Sequence, residues 1–163
     1  KPLIAMIQGF CIGGGLATAL SADVRIATSD STFGIPAAKL GLGYDYSGLK
    51  MLCDLVGPSR AKDIMFTGRF LAADEALRIG LINFVVTRGE LESKVKDYAV
   101  LIAGNAPLTV KAAKAAVIEA MKDAGHRDLA SVEEMVNACF DSEDYKEGRA
   151  AFKEKRKPNF IGR

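Results

Sequence analysis

The sequence predicts an α/β fold in which short strands and a helix wind as repeated β-β-α turns of a spiral and then hand over to an α-helical tail. Two observations carry the prediction. Before Leu40 the chain alternates short apolar runs with turn residues around one small-residue helical stretch, a spacing that suits a spiral better than a long open sheet. From Leu49 onward the apolar residues recur with helical period instead. A boundary at residue 89 separates the spiral part, 1–89, from the helical part, 90–163.

Taken in order, Leu3-Ile4-Ala5-Met6-Ile7 is a near-continuous apolar run, the pattern of a strand buried on both faces. A turn through Gly9 to Gly13 delivers the chain to a helix beginning near Gly14, where Leu16-Ala17-Thr18-Ala19-Leu20 supplies helix formers and no breaker. Val24-Arg25-Ile26-Ala27-Thr28 is a second strand and Ser31-Thr32-Phe33-Gly34 a short third one. Residues 40–48 are glycine-rich and read as a loop. Pro58 suits the first position of a helix after Gly57, with Ala61, Ile64 and Met65 on one face. Residues 73–79 form a short helix closed by Gly80, followed by a strand over 81–86. Four helices complete the chain, over 90–104, 107–124, 129–140 and 142–155, the last opened by Asp141 with Asp144 as its capping-box partner. Leu129, Val132, Met135, Val136 and Cys139 make an apolar stripe that suits either the chain's own core or a subunit interface.

With 49% hydrophobic and 26% charged residues the composition is that of a soluble, globular domain. A net charge of +2 gives no reason to expect nucleic acid or an anionic membrane as partner, and no apolar run reaches transmembrane length. Cys11, Cys53 and Cys139 are odd in number and widely spaced, so they read as free thiols in a reducing compartment. The single histidine, His126, reads as a surface loop residue, and no set of side chains has metal-ligand spacing.

The stretch with most chemical content is Ile12-Gly13-Gly14-Gly15-Leu16. The first N–H groups of a helix have no partner within it, and glycine lets an oxygen approach the backbone closely. Such a turn can bind an oxygen that is gaining negative charge.

That triplet, with Ala22-Asp23-Val24-Arg25-Ile26-Ala27, Thr32-Phe33-Gly34-Ile35-Pro36, Phe66-Thr67-Gly68, Ala73-Asp74-Glu75-Ala76, Gly80-Leu81-Ile82-Asn83 and the segment 152–160, resembles the crotonase superfamily, the enoyl-CoA hydratases and isomerases. The resemblance covers the whole chain. It implies a crotonase-like spiral with a helical trimerisation and lid region, a homotrimer or hexamer, no prosthetic group, and an acyl-CoA thioester as substrate. It also implies a place in fatty-acyl metabolism, in the cytoplasm or, in a eukaryote, the mitochondrial matrix. On the same footing, this chain corresponds to the C-terminal part of a larger domain.

By position, the resemblance makes Gly14 one backbone donor to the thioester oxygen, with Gly13 beside it, and leaves the second donor to an N-terminal portion. The two glutamates of the hydratases fall at Ala17 and Ala37, so conventional hydration loses both acid–base groups. Asp45 stands where related isomerases and a dehalogenase carry a working aspartate; burial would raise its basicity, and a solvated turn aspartate is the alternative. Tyr44 stands where the similar methylmalonyl-CoA decarboxylase branch carries a tyrosine. The closing helix contributes Lys155 as a contact to CoA and Phe152 as a core or lid residue at the substrate. Three functions follow: enolate-forming hydratase/isomerase-type chemistry, decarboxylation of a malonyl-type CoA ester, or acyl-CoA binding without catalysis.

Overall fold

The computed structural model describes residues 1–163, which divide into two compact units, Leu3–Lys96 and Asp97–Arg163 with Lys1–Pro2. In the first unit, β1 (Ile4–Ile7), β2 (Phe10–Ile12) and α1 (Gly14–Leu20) make one turn, and β3 (Val24–Thr28) and β4 (Thr32–Gly34) begin the next. After these come α2 (Tyr46–Thr67), β5 (Leu71–Ala72), α3 (Ala73–Arg78), β6 (Phe84–Val86) and α4 (Leu91–Ala103), which crosses into the second unit.

The spiral is visible in the pairing. β3 lies parallel on β1 with Ile4 opposite Val24, and β4 lies parallel on β2 with Phe10 opposite Thr32. Successive turns therefore stack strand upon strand and build two sheets, β1-β3-β6 and β2-β4-β5. The corners are tied by the Thr32 N–H donating to the Gly9 carbonyl at 3.0 Å and by the buried Thr28 and Ser31 hydroxyls, 2.9 Å apart. Phe33, Leu16, Ile26, Ile35, Leu52, Ile64, Leu71 and Leu81 fill the core.

Several expectations are corrected. The turn placed over Gly9 to Gly13 contains β2: Gly9 (φ 76) and Gly13 (φ 55) bend the chain on either side, and Phe10-Cys11-Ile12 between them pairs with β4. Leu81 and Ile82 do not extend β6; their N–H groups donate to the Ala76 carbonyl and close α3 instead. The loop expected over 40–48 is shorter: a 3-10 turn over Pro36–Leu40 takes its first residue and α2, starting at Tyr46, takes its last three. Within α2 the helix breaks at Gly57 (φ 77) and resumes at Pro58, which lacks an N–H to continue the first ladder. Arg69 braces the far end of α2, its Nη2 reaching Asp63 at 2.6 Å and Glu75 at 2.7 Å.

The second unit holds the end of α4, then α5 (Pro107–Ala120), α6 (Leu129–Asp141) and α7 (Glu143–Glu154). The helix expected to run to 124 stops at Ala120, and His126 lies exposed in a separate 3-10 turn, Ala124–His126. The N-cap of α7 is Ser142, whose hydroxyl accepts from the Tyr145 N–H at 3.0 Å, not Asp141. Asp144 is buried and occupied elsewhere: its carboxylate accepts the Ile161 N–H at 2.7 Å and the Gly162 N–H at 3.0 Å, folding the last residues back along α7. α6 packs on α5, yet no residue of its apolar stripe is fully buried, and Leu129 and Val136 are exposed.

Candidate functional site

β2 ends one residue before Gly13, which adopts φ 55 and ψ −117, a backbone state that disfavours any side chain. Gly13 donates its N–H to the Gly34 carbonyl at 2.8 Å, and its own carbonyl accepts the Ala17 N–H at 2.9 Å, which starts α1. Between these two bonds the Gly14 N–H has no acceptor in the chain. Gly14 and Gly15 are exposed, and a Cβ built on either meets no atom within 4 Å. α1 is only seven residues long, so the donor is the N–H itself, with little help from a helix dipole. Ala17 lies half-buried one turn further along.

Ala37 and Tyr44 are brought together. Both line an open cavity of about 380 Å³ whose other walls include Leu42, Leu49, Cys53, Met65 and Phe66. Burial pushes the Tyr44 phenol above its usual pKa, so it is a neutral donor around pH 7. Its ring lies against α2 at Gly48, where a Cβ would come within 3.0 Å of Cε1.

Asp45 does not meet the condition for enhanced basicity. It is exposed and caps α2, accepting the Ser47 N–H at 3.2 Å and the Ser47 hydroxyl, and these hydrogen bonds hold its carboxyl below the usual range. A short carboxylate satisfied at a helix start has no reason to take up a proton.

Phe152 and Lys155 belong to the second unit. Phe152 is 88% exposed, so a core position is excluded; it borders an apolar cavity of about 680 Å³ between α5, α6 and α7. Lys155 ends α7 with its side chain in solvent. Of the basic residues around it, Arg156 is engaged with Glu147 and Glu154.

Sequence reasoning missed Gly34, whose carbonyl holds Gly13 and whose α-carbon faces Phe70 so closely that a Cβ would sit 2.7 Å from Cδ1. A lone glycine at the end of a strand was the available signal. Gly48 carried none.

The enoyl-CoA hydratase/isomerase family profile matches residues 1–163. A short-chain-enoyl-CoA hydratase from Clostridium acetobutylicum is 44% identical over 157 residues, covering 96% of this chain and 60% of that protein. A crotonyl-CoA hydratase from Syntrophomonas wolfei is 42% identical over 163 residues, covering all of this chain and 63% of that protein. The crystal structure of an enoyl-CoA hydratase/carnithine racemase from Magnetospirillum magneticum superposes with a TM-score of 0.90 at 33% identity, covering 100% of this chain and 60% of that one. The chain thus spans about three fifths of the length of the relatives that it matches. With the family profile matched from end to end and the spiral fold shared, the chain belongs to the enoyl-CoA hydratase/isomerase family.

Proposed function

We propose that the protein acts on acyl-CoA thioesters and that the Gly14 N–H receives the thioester oxygen as it becomes an enolate. The observation that carries this reading is a backbone N–H without an acceptor, on an exposed glycine at the family's glycine turn. One such donor is worth about 3–4 kcal/mol of barrier. The substrate brings coenzyme A with it, and no prosthetic group enters the scheme.

Ala17 and Ala37 leave the glycine turn and the cavity without the carboxylates that hydration requires. Proton delivery falls to the Tyr44 phenol, which shares the cavity with Ala37, rather than to Asp45, whose carboxylate is spent on capping. This arrangement favours a second reading, decarboxylation of a malonyl-type CoA ester. There the bond to the carboxylate breaks, its electron pair moves to the thioester as an enolate, carbon dioxide departs and a proton returns to the α-carbon. That reaction needs a donor for the enolate and a group to orient the carboxylate, and Tyr44 can serve as the latter.

The test is turnover of enoyl-, dienoyl- and malonyl-type CoA esters by the full-length protein. Loss of the activity found on Gly14→Pro, with the fold intact, is expected; retained activity overturns the role of that N–H. Carbon dioxide release without hydration of crotonyl-CoA selects decarboxylation, and tight CoA binding without any turnover selects a binding subunit. Exposed Val117, Leu129 and Phe140 support assembly of the helical unit into a trimer or hexamer, which sedimentation will read. Three free thiols suit the cytoplasm or, in a eukaryote, the mitochondrial matrix.

A further inference from the structure

Among the residues around the cavity that Ala37 and Tyr44 share, one cation has no part in the scheme above: Lys62. It stands on the stretch of α2 that resumes at Pro58, next to buried Ala61, and is itself exposed. A lysine on an apolar wall covers it with its methylene stem and keeps the ammonium at the water boundary, which here is the open mouth of the cavity. This wall is anchored to the glycine turn. The Gly34 carbonyl that holds the Gly13 N–H lies just before the 3-10 turn Pro36–Leu40, which carries Ala37.

The charge on Lys62 is not answered within the protein. Its ammonium makes no ion pair or hydrogen bond, and the carboxylates nearby in the chain are taken. Asp45 is held by Ser47, Asp54 by Lys50 at 2.8 Å, and Asp63 and Glu75 by Arg69 at 2.6 and 2.7 Å. No carboxylate lines the cavity. With the neutral Tyr44 phenol, it therefore offers one hydrogen-bond donor and one cation over apolar walls, and nothing that repels an anion.

We infer that Lys62 is a specificity-determining residue, selecting acyl groups that carry a carboxylate, as a malonyl-type thioester does, over neutral acyl groups of the same shape. This rests on the reading of the protein as a CoA-thioester binder and adds to it the sign of charge that the acyl end carries. Tyr44 donates to a carboxylate oxygen and the Lys62 ammonium pairs with the charge. A point charge on a flexible stem sets a sign more than a shape. Because a carboxylate gives up its negative charge as carbon dioxide forms, holding it stabilises the bound substrate at least as much as the transition state. Lys62 thus acts on selection, not on the rate of the chemical step.

The experiment measures, by rapid mixing with the full-length protein, the affinities for methylmalonyl-CoA and isobutyryl-CoA, which differ by a carboxylate in place of a methyl group. The wild type is expected to prefer methylmalonyl-CoA, and less so as ionic strength rises. Lys62→Met keeps an apolar stem and removes the charge. It is expected to weaken methylmalonyl-CoA about three- to ten-fold, to leave isobutyryl-CoA and the melting temperature unchanged, and to abolish the salt dependence of the ratio. Lys62→Arg is expected to retain the preference. In any carbon dioxide release, the loss in Lys62→Met is expected in KM and not in kcat. A wild type that binds the two thioesters equally, a Lys62→Met variant with the wild-type ratio, or a loss confined to kcat would overturn the selection while leaving the Gly14 reading intact. A wild type that binds neither thioester overturns the functional reading, and this inference with it.

Discussion

Two adjacent glycines at the end of β2 divide the work of the site. Gly13 supplies the backbone state that no other residue takes easily, and Gly14 supplies an N–H left without an acceptor. The triplet stood out in the sequence only through the motifs around it, since glycines between a strand and a helix more often serve a tight turn or close packing, and the division of labour was not legible, because it depends on the Gly34 carbonyl of the next turn. Asp45 shows the limit more sharply. An aspartate beside glycines and before Ser47 suits a cap and a base equally well, and only burial, a property of the folded whole, decides between them. Charge at single residues also sets an acid limit. Arg156 holds the Glu147 carboxyl at about 2, below the ordinary glutamate value near ~4.3. A depressed carboxylate pKa means stabilisation that is complete above the unfolded value and lost as pH falls toward the folded one. Thermal melts from pH 5 downward are therefore expected to show a decline that Glu147→Gln flattens; identical acid limbs in the two proteins would remove the pair from the account.

Among the elements, length alone does not decide legibility, since the three-residue β4 was read to within one residue. β3 was read at its observed bounds, whereas β2 and β5, three and two residues long, give no period to detect and exist because β4 lies between them. The same neighbours make Gly34 indispensable. A methyl group there would press on the Phe70 ring and stand 3.0 Å from the Arg69 carbonyl, which belongs to the backbone and cannot swing aside. Gly34→Ala is expected to destabilise by about 1–3 kcal/mol, the usual cost of overpacking, measured as a lower urea midpoint with unchanged slope. An unaltered midpoint would mean that β5 is free to move away. At the other end of the chain, the capping box read into Asp141 and Asp144 lay one residue off, because the Asp144 carboxylate has a better use in holding the last residues against α7.

For the molecule as a whole, the order of the motifs made the spiral legible, and the pairing of β3 on β1 and β4 on β2 realises it. What the sequence could not convey is which strand edges remain open. β1 and β2 are paired on one side only, and Met6 and Phe10, 57% and 81% exposed, lie on these two edge strands. Unpaired apolar edges invite further strands. The isolated 163-residue chain is accordingly expected to develop concentration-dependent turbidity that Met6→Lys with Phe10→Lys reduces; equal turbidity in the double variant would locate the association on the helical unit instead. Phe152, assigned from the sequence to a core or lid, lies exposed because α7 turns that side of its surface outward, a matter of packing that helical spacing alone does not fix.

The most direct measurement is a crystal structure of the full-length protein with a non-reacting acyl-CoA analogue bound. The account predicts the thioester oxygen about 3 Å from the Gly14 nitrogen, within hydrogen-bond range of its N–H. A bound analogue whose thioester oxygen lies away from the glycine turn, with the Gly14 N–H still facing solvent, would contradict it.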